Sequence, residues 1–336
     1  MAHIRLATNI LLLTLLATPA RSEPLVVLTS VPPLESLIEA IGAPHISVRA
    51  LVKTGTDHHH YSPTPHQVEE FASATIFFLS GIPFENNWLP RIAATNPQLR
   101  VVDLATATTA TADYGQQPDD SRKAAHGSNF DPTKDSEPHM EGSDHKLEPR
   151  QPVSVTQPDR SVSPDRIPHI HDHHAESLHP WTSIHAAQQM TLTIYQTLTN
   201  VDPLHSDDYR KNYRRVSAEL AALDSQIRTL LKPFEGRKFL VFHPAWEAFA
   251  QEYGLVQLAI EKDGKEPGAR RMAELISTAK TERLRTIFIR PHLDHRRVQQ
   301  LAAALEADVI VLDPLAQDYP AYLLTVATKL AESLSQ

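Results

Sequence analysis

The 336-residue chain carries 40 acidic against 32 basic side chains, a net charge of −8, and no basic block, so it lacks the clustered Lys and Arg that nucleic-acid binding requires. Cysteine is absent, which excludes structural disulfides, cysteine-based zinc sites and thiol catalysis, and leaves His and carboxylates as the strong metal ligands. Histidine is the unusual count, at 19.

Residues 1–22 have the organisation of a secretory signal: Arg5 supplies the positive start, Ile10 to Ala17 a short apolar run, and Ala20-Arg21-Ser22 small residues before a cut near Glu23. That run is well short of the roughly 20 residues needed to span a bilayer. No later stretch is long and apolar enough, and no Cys stands near the cut to carry a lipid, so the mature protein is expected to be soluble outside the cytoplasm.

From Glu23 the pattern is α/β. Leu25 to Leu28 is an apolar strand, Ser30-Val31-Pro32-Pro33 a turn, and Leu34, Leu37, Ile38 and Ile41 keep helical spacing up to Gly42. A second strand, Ile46 to Val52, runs into Asp57-His58-His59-His60-Tyr61-Ser62-Pro63-Thr64-Pro65, a proline-punctuated loop holding three consecutive imidazoles. Open α/β sheets place their ligand loops at the carboxyl ends of strands, and imidazole suits zinc and its neighbours. Helix Pro65 to Ala72, strand Ala74 to Leu79, a turn at Gly81-Ile82-Pro83 and strand Leu99 to Leu104 follow.

Residues 111–176 are rich in Asp, Ser, Pro, Gln, Lys and His and nearly free of large apolar side chains, so they are expected to form a disordered insertion. Its imidazoles, including His169, His171, His173 and His174, suit weak, exchangeable metal capture; an inert solvated linker is the plainer alternative. Order resumes at Leu178-His179-Pro180-Trp181, and Ile184 to Leu198 reads as a helix. A longer helix starts near Ser206-Asp207-Asp208, where capping and the helix dipole both favour an N-terminus. Tyr209, Tyr213, Val216, Leu220, Leu223, Ile227 and Leu230 form its single apolar seam, about 30 Å long. A coiled-coil partner could cover that seam, but a strut packed across two lobes accounts for it without one.

The second half repeats the α/β logic with strands Lys238 to Phe242, Leu255 to Ile260, Thr286 to Ile289 and Val309 to Leu312, and helices Ala245 to Tyr253, Ala269 to Lys280 and Arg296 to Glu306. Phe242-His243-Pro244 and Leu312-Asp313-Pro314 each have an apolar strand delivering a ligand with proline just after. The 58–60 triplet, His179, His243 and Asp313 come two from each half, so a cleft between lobes could gather three imidazoles and one carboxylate around a tetrahedral divalent ion. Taken singly, His179 and His243 could be ordinary hydrogen-bonded residues and Asp313 a helix cap.

Gly55 to Pro65, His179-Pro180-Trp181, Val241 to Trp246 with Tyr253-Gly254-Leu255, Gly264-Lys265-Glu266-Pro267 and Leu312 to Leu315 occur in one order along the chain. In these segments the chain resembles the metal-specific, ZnuA-like solute-binding proteins of ABC transporters. The resemblance implies two Rossmann-like α/β lobes of mostly parallel sheet, joined by one long rigid helix, the cluster A-I arrangement. It implies His59, His179, His243 and Asp313 as ligands of a transported Zn²⁺. In this sequence His58 stands where the family usually has proline, which loosens the register within the triplet, and Arg290-Pro291-His292 replaces an expected glutamine-containing segment, leaving His292 a competitor.

The expected organisation is a signal peptide at 1–22, a first lobe at 23–110, the insertion at 111–176, a return to the first lobe at 177–205, a linking helix at 206–232 and a second lobe at 233–336. The expected function is a periplasmic, monomeric, non-enzymatic protein that captures Zn²⁺ and hands it to a membrane permease and its ATPase. Mn²⁺ or Fe²⁺ uptake is the alternative within that class; a secreted zinc hydrolase with Asp313 as base is the rival outside it, although no HExxH helix supports one.

Overall fold

The computed structural model describes residues 23–58, 61–106, 179–262, 265, 267–291, 293 and 295–336. The expectations for the signal segment, the 111–176 insertion, His59 and His292 lie outside them.

Two parallel sheets of four strands organise the chain. The first is built from β1 (Leu25–Thr29), α1 (Pro32–Gly42), β2 (Ile46–Ala50), α2 (Pro65–Ser73), β3 (Ile76–Leu79), α3 (Pro83–Thr95) and β4 (Arg100–Asp103), with strand order β2-β1-β3-β4. The second repeats it with β5 (Lys238–Val241), α6 (Glu247–Glu252), β6 (Val256–Ala259), α7 (Ala269–Thr281), β7 (Thr286–Ile289), α8 (His295–Leu305) and β8 (Asp308–Val311), in the order β6-β5-β7-β8. Between the sheets run α4 (Ile184–Val201) and α5 (Ser206–Leu231), and α9 (Ala321–Leu334) follows the second sheet.

The strand order reverses direction between β1 and β3 in one sheet and between β5 and β7 in the other. Loops leaving the carboxyl ends of strands at such switch points splay apart and leave a crevice. The central strands are apolar because helices cover both their faces: every residue of Ile76-Phe77-Phe78-Leu79 and of Thr286-Ile287-Phe288-Ile289 is buried. Edge strand β8 is paired on one side only and leaves Val309 and Val311 partly exposed.

Two proline-started helices show how the loops are fixed. Pro32 and Pro33 open α1, where a missing N–H costs nothing. In α2, Pro65 follows Thr64, whose side chain accepts from Gln67 N while Gln67 reaches back to the Thr64 N–H, so the far end of the histidine loop is pinned by a capping box.

The long helix α5 has 26 residues and spans about 39 Å. It begins at Ser206 with His205 in the cap position and no side-chain cap bond, so Asp207 and Asp208 act on the dipole, rather than through capping by Ser206. Tyr209, Val216, Leu220, Ile227 and Leu231 are buried, with Tyr213, Leu223 and Leu230 packed at the margin. These residues meet α1, α4 and α9 of the same chain, leaving no seam for a coiled-coil partner. At one end Asn212 donates to the Ile41 and Ala43 carbonyls and Arg215 to that of Ala40; at the other, Arg228 donates to the Glu252 carbonyl and the Tyr253 hydroxyl to Asp224. The helix is therefore bonded to both lobes.

Helix α3 was not expected from the sequence. Pro90 inside it reads as a breaker, yet the helix continues through, with Phe84, Leu89 and Ile92 buried. One apolar cluster runs from the first sheet through α4, α5 and α9 onto the face of the second sheet carrying Phe239, Val241 and Phe288. A second cluster, with Leu240, Ile287 and Ile289, fills the opposite face of that sheet with side chains of α7 and α8.

Candidate metal centre

The candidate ligands lie on connecting segments between ordered elements. His58 lies on the loop between β2 and α2; His179 immediately precedes the short 3-10 turn Pro180–Thr182 that leads into α4; His243 follows β5 by two residues, at the switch point of the second sheet. Pro180 opens the 3-10 turn directly after His179, and Pro244 follows His243 on the loop before α6.

His58, His179 and His243 converge, with one ring nitrogen from each inside a group whose members all lie within 4.8 Å of one another. Their exposures are 1%, 1% and 5%, a degree of burial unusual for histidine outside a ligand or structural site. The Nε2 atoms of His58 and His179 are 2.9 Å apart, and the two rings are edge to face. A tetrahedral zinc with bonds of about 2.0–2.1 Å needs nitrogens about 3.3 Å apart, so a few tenths of an ångström of opening would admit the ion.

His243 is oriented from behind. Its Nδ1 lies 3.0 Å from Oε2 of Glu261, a buried carboxylate placed just beyond β6, which directs Nε2 to the other two rings. Trp181 packs edge-on to His179 and donates from Nε1 to the Pro314 carbonyl at 2.8 Å, joining the His179 turn to the loop after β8. The α4 N-terminus at Ile184 and His185 donates two backbone N–H bonds to the Glu252 carboxylate of α6. Across the crevice mouth, Arg290 Nη1 meets Asp57 Oδ1 at 3.2 Å, connecting the residue after β7 with the neighbour of His58.

His179 and His243 thus stand together, His243 just past its strand, as its position in the sequence suggested, and His179 ahead of the turn that leads into α4. His59, on which the family pattern placed the first ligand, lies outside the described residues with His60; among the described residues the triplet contributes His58 to the group. Asp313 is half-buried and outside the 4.8 Å group; its Oδ1 accepts from Leu315 N, and its own N–H is bonded to the Tyr322 hydroxyl. It holds a turn, rather than starting a helix. Glu261 was not anticipated, although its signal was present: an acid immediately after the apolar stretch Leu255 to Ile260 repeats the strand-then-ligand pattern of His243.

The family model described as zinc-uptake complex component A periplasmic matches residues 27–333. The chain belongs to the ZnuA family. It is 25% identical over 307 residues to the high-affinity zinc uptake system protein ZnuA of Yersinia pestis, covering 90% of this chain and 86% of that one. Among solved structures, a crystal structure of ZnuA aligns over 93% of this chain and 100% of its own with a TM-score of 0.70 and 27% identity. A zinc-bound deletion mutant of ZnuA aligns over 94% of this chain and 99% of its own, with a TM-score of 0.69 and 28% identity. The family is one of solute-binding proteins, and no helix among the described residues is long and apolar enough to cross a membrane.

Proposed function

We propose that this protein is the zinc-capturing component of an ABC importer, acting in the periplasm after removal of its signal segment and delivering Zn²⁺ to a permease driven by an ATPase. The observation that carries this reading is the convergence of three buried imidazoles between the carboxyl ends of two sheets. An all-nitrogen set suits Zn²⁺ better than Mn²⁺, which favours oxygen donors. The zinc bound by a related ZnuA supports the same choice.

In this reading His58, His179 and His243 are the dominant ligands and Glu261 sets the ring of His243. Asp313, expected from the sequence as the fourth ligand, accepts from Leu315 N through Oδ1, and its second carboxylate oxygen is the one that could join the ion with that bond kept. Metal is held as cargo: the site is buried, and the ordered lobes keep the donors in place. Elemental analysis of protein purified without added metal, followed by competition titration with Zn²⁺ and Mn²⁺, tests the reading; zinc content near one per chain with preference for Zn²⁺ is expected. A preference for Mn²⁺ would overturn the selectivity, and turnover of esters or peptides by the zinc-loaded protein would overturn the transport role.

A further inference from the structure

The second lobe carries a cavity remote from the histidine crevice. It opens at the amino-terminal ends of β5 and β7, whereas His243 and Arg290 leave their carboxyl ends. Its volume is about 270 Å³, and Arg237, Lys238, Glu282, Arg283, Arg285 and Thr286 are among its lining residues. An adjoining hollow of about 290 Å³ shares Arg283 and Arg285 and adds Lys280.

Two features set this cavity apart from an ordinary solvated surface. In a chain of net charge −8, four cations meet here with one side-chain carboxylate, and that carboxylate, Glu282, is already bonded to Lys238. Arg237, Arg283 and Arg285 form no ion pair among the described residues, and all three are exposed. Independently, Thr286 is 4% exposed and its Oγ1 has no hydrogen-bond partner. A buried hydroxyl without a partner is costly, and an absent ligand is one reason for a protein to retain it. Arg283 also holds φ 55, a backbone conformation in which glycine is the unstrained residue, so an arginine stands there at a conformational cost.

We propose that this cavity is an anion site for a phosphate group, held by the guanidinium groups of Arg237, Arg283 and Arg285 and by a hydrogen bond from the Thr286 hydroxyl. A carboxylate would be satisfied by a single bidentate arginine, whereas several separate guanidinium groups with a hydroxyl suit an anion with more oxygens. Inorganic phosphate and a phospholipid headgroup share that chemistry. The inference is independent of the zinc reading, because the two sites occupy opposite ends of one sheet.

The test uses the full, metal-free chain. Thermal unfolding is followed as inorganic phosphate replaces chloride at constant ionic strength, in the wild type and in the variants Arg283→Gln, Arg285→Gln and Thr286→Val. Sedimentation with phosphatidylcholine vesicles, with and without phosphatidic acid, provides the second arm. The wild-type Tm is expected to rise with phosphate, and each variant to bind phosphate about tenfold or more weakly. Zinc affinity is expected to stay unchanged in all three. A response confined to phosphatidic acid vesicles and lost in the same variants assigns the site to a headgroup. Equal responses in wild type and variants, or no response to either probe, would overturn the proposal; the exposed arginine positions keep this result separate from misfolding.

Discussion

The Nδ1 of His243 lies 3.0 Å from the Glu261 carboxylate, and both residues are at least nine-tenths buried. This contact fixes the direction in which the imidazole presents its other nitrogen and makes that nitrogen more basic. Replacing Glu261 with Gln keeps an acceptor and removes the charge. Zinc affinity is expected to fall about 10- to 100-fold, the usual cost of losing an outer partner of a ligand. Competition with a chromophoric chelator measures it, and an unchanged constant would remove Glu261 from the site.

Direct ligands should cost more. His58→Ala, His179→Ala and His243→Ala are each expected to weaken zinc binding by more than about 100-fold, beyond the range for outer partners. Asp313→Asn is expected to have a smaller effect, because Asp313 lies outside the nitrogen group, and His59→Ala decides the register of the triplet, of which His58 stands in the group among the described residues. Isothermal titration of the five variants ranks them, and a His59→Ala loss exceeding that of His58→Ala would restore the family register.

That ranking also marks the limit of what sequence can resolve. His243 was legible because it follows an apolar strand whose pattern fixes its end, and His179 through the His179-Pro180-Trp181 segment of the family resemblance. A loop has no such period, so His58 and His59 could not be separated by pattern; the family resemblance favours His59, and His58 is the member of the triplet that stands in the group among the described residues. The parallel sheets were legible from short β-branched runs alternating with helices. Helix α3 was not, because a proline at position 90 argues locally against a helix that tertiary burial of Phe84, Leu89 and Ile92 sustains. Nor could the sequence show that Glu261 faces His243, which depends on β5 and β6 being neighbours in the sheet.

Protons compete for the same nitrogens. Imidazole must be neutral to bind zinc, so affinity should decline on acidification, with protons released as the ion binds at the lower pH. Titrations at pH 5.5 and 7.5 in two buffers of different ionisation enthalpy give both quantities; pH-independent affinity would exclude a histidine-dominated site.

The Arg290–Asp57 pair is partly exposed, with side-chain exposures of 22% and 40%. Its contribution to folding stability should accordingly be small, no more than about 1 kcal/mol. Because it joins the neighbour of His58 to the residue after β7, its effect is expected on ion exchange more than on folding. Asp57→Asn and Arg290→Gln are expected to leave Tm within a few degrees of wild type and to accelerate zinc release to excess chelator; unchanged release rates would leave the pair a surface contact only.

Glu85 provides a pH dependence unrelated to metal. Burial raises its pKa from 4.5 to about 7, partly offset by hydrogen bonds from the Ser80–Gly81 turn. A carboxyl with a raised folded-state pKa contributes stability that is fully present below the unfolded value and is lost as pH rises through the folded one. The gap of about 2.5 pH units, at about 1.4 kcal/mol each, makes the loss about 3 kcal/mol between pH 4.5 and 8. Glu85→Gln should flatten that part of the stability profile, read by denaturant unfolding across the range; parallel profiles would show that Glu85 does not titrate there.

The Glu252 carboxylate grips the start of α4, while the body of that helix packs on α1. Together with α5 it forms a two-beam frame clamped at both ends, and the Trp181–Pro314 bond places the His179 turn on the same side as His243. The His179 turn is thereby tied to the loops of the second sheet, while the helix it leads into stays packed on the first. Exchange rates of the ion are therefore expected to respond more to substitutions beside His58, the one imidazole carried by the first sheet's loop, than to substitutions around His179.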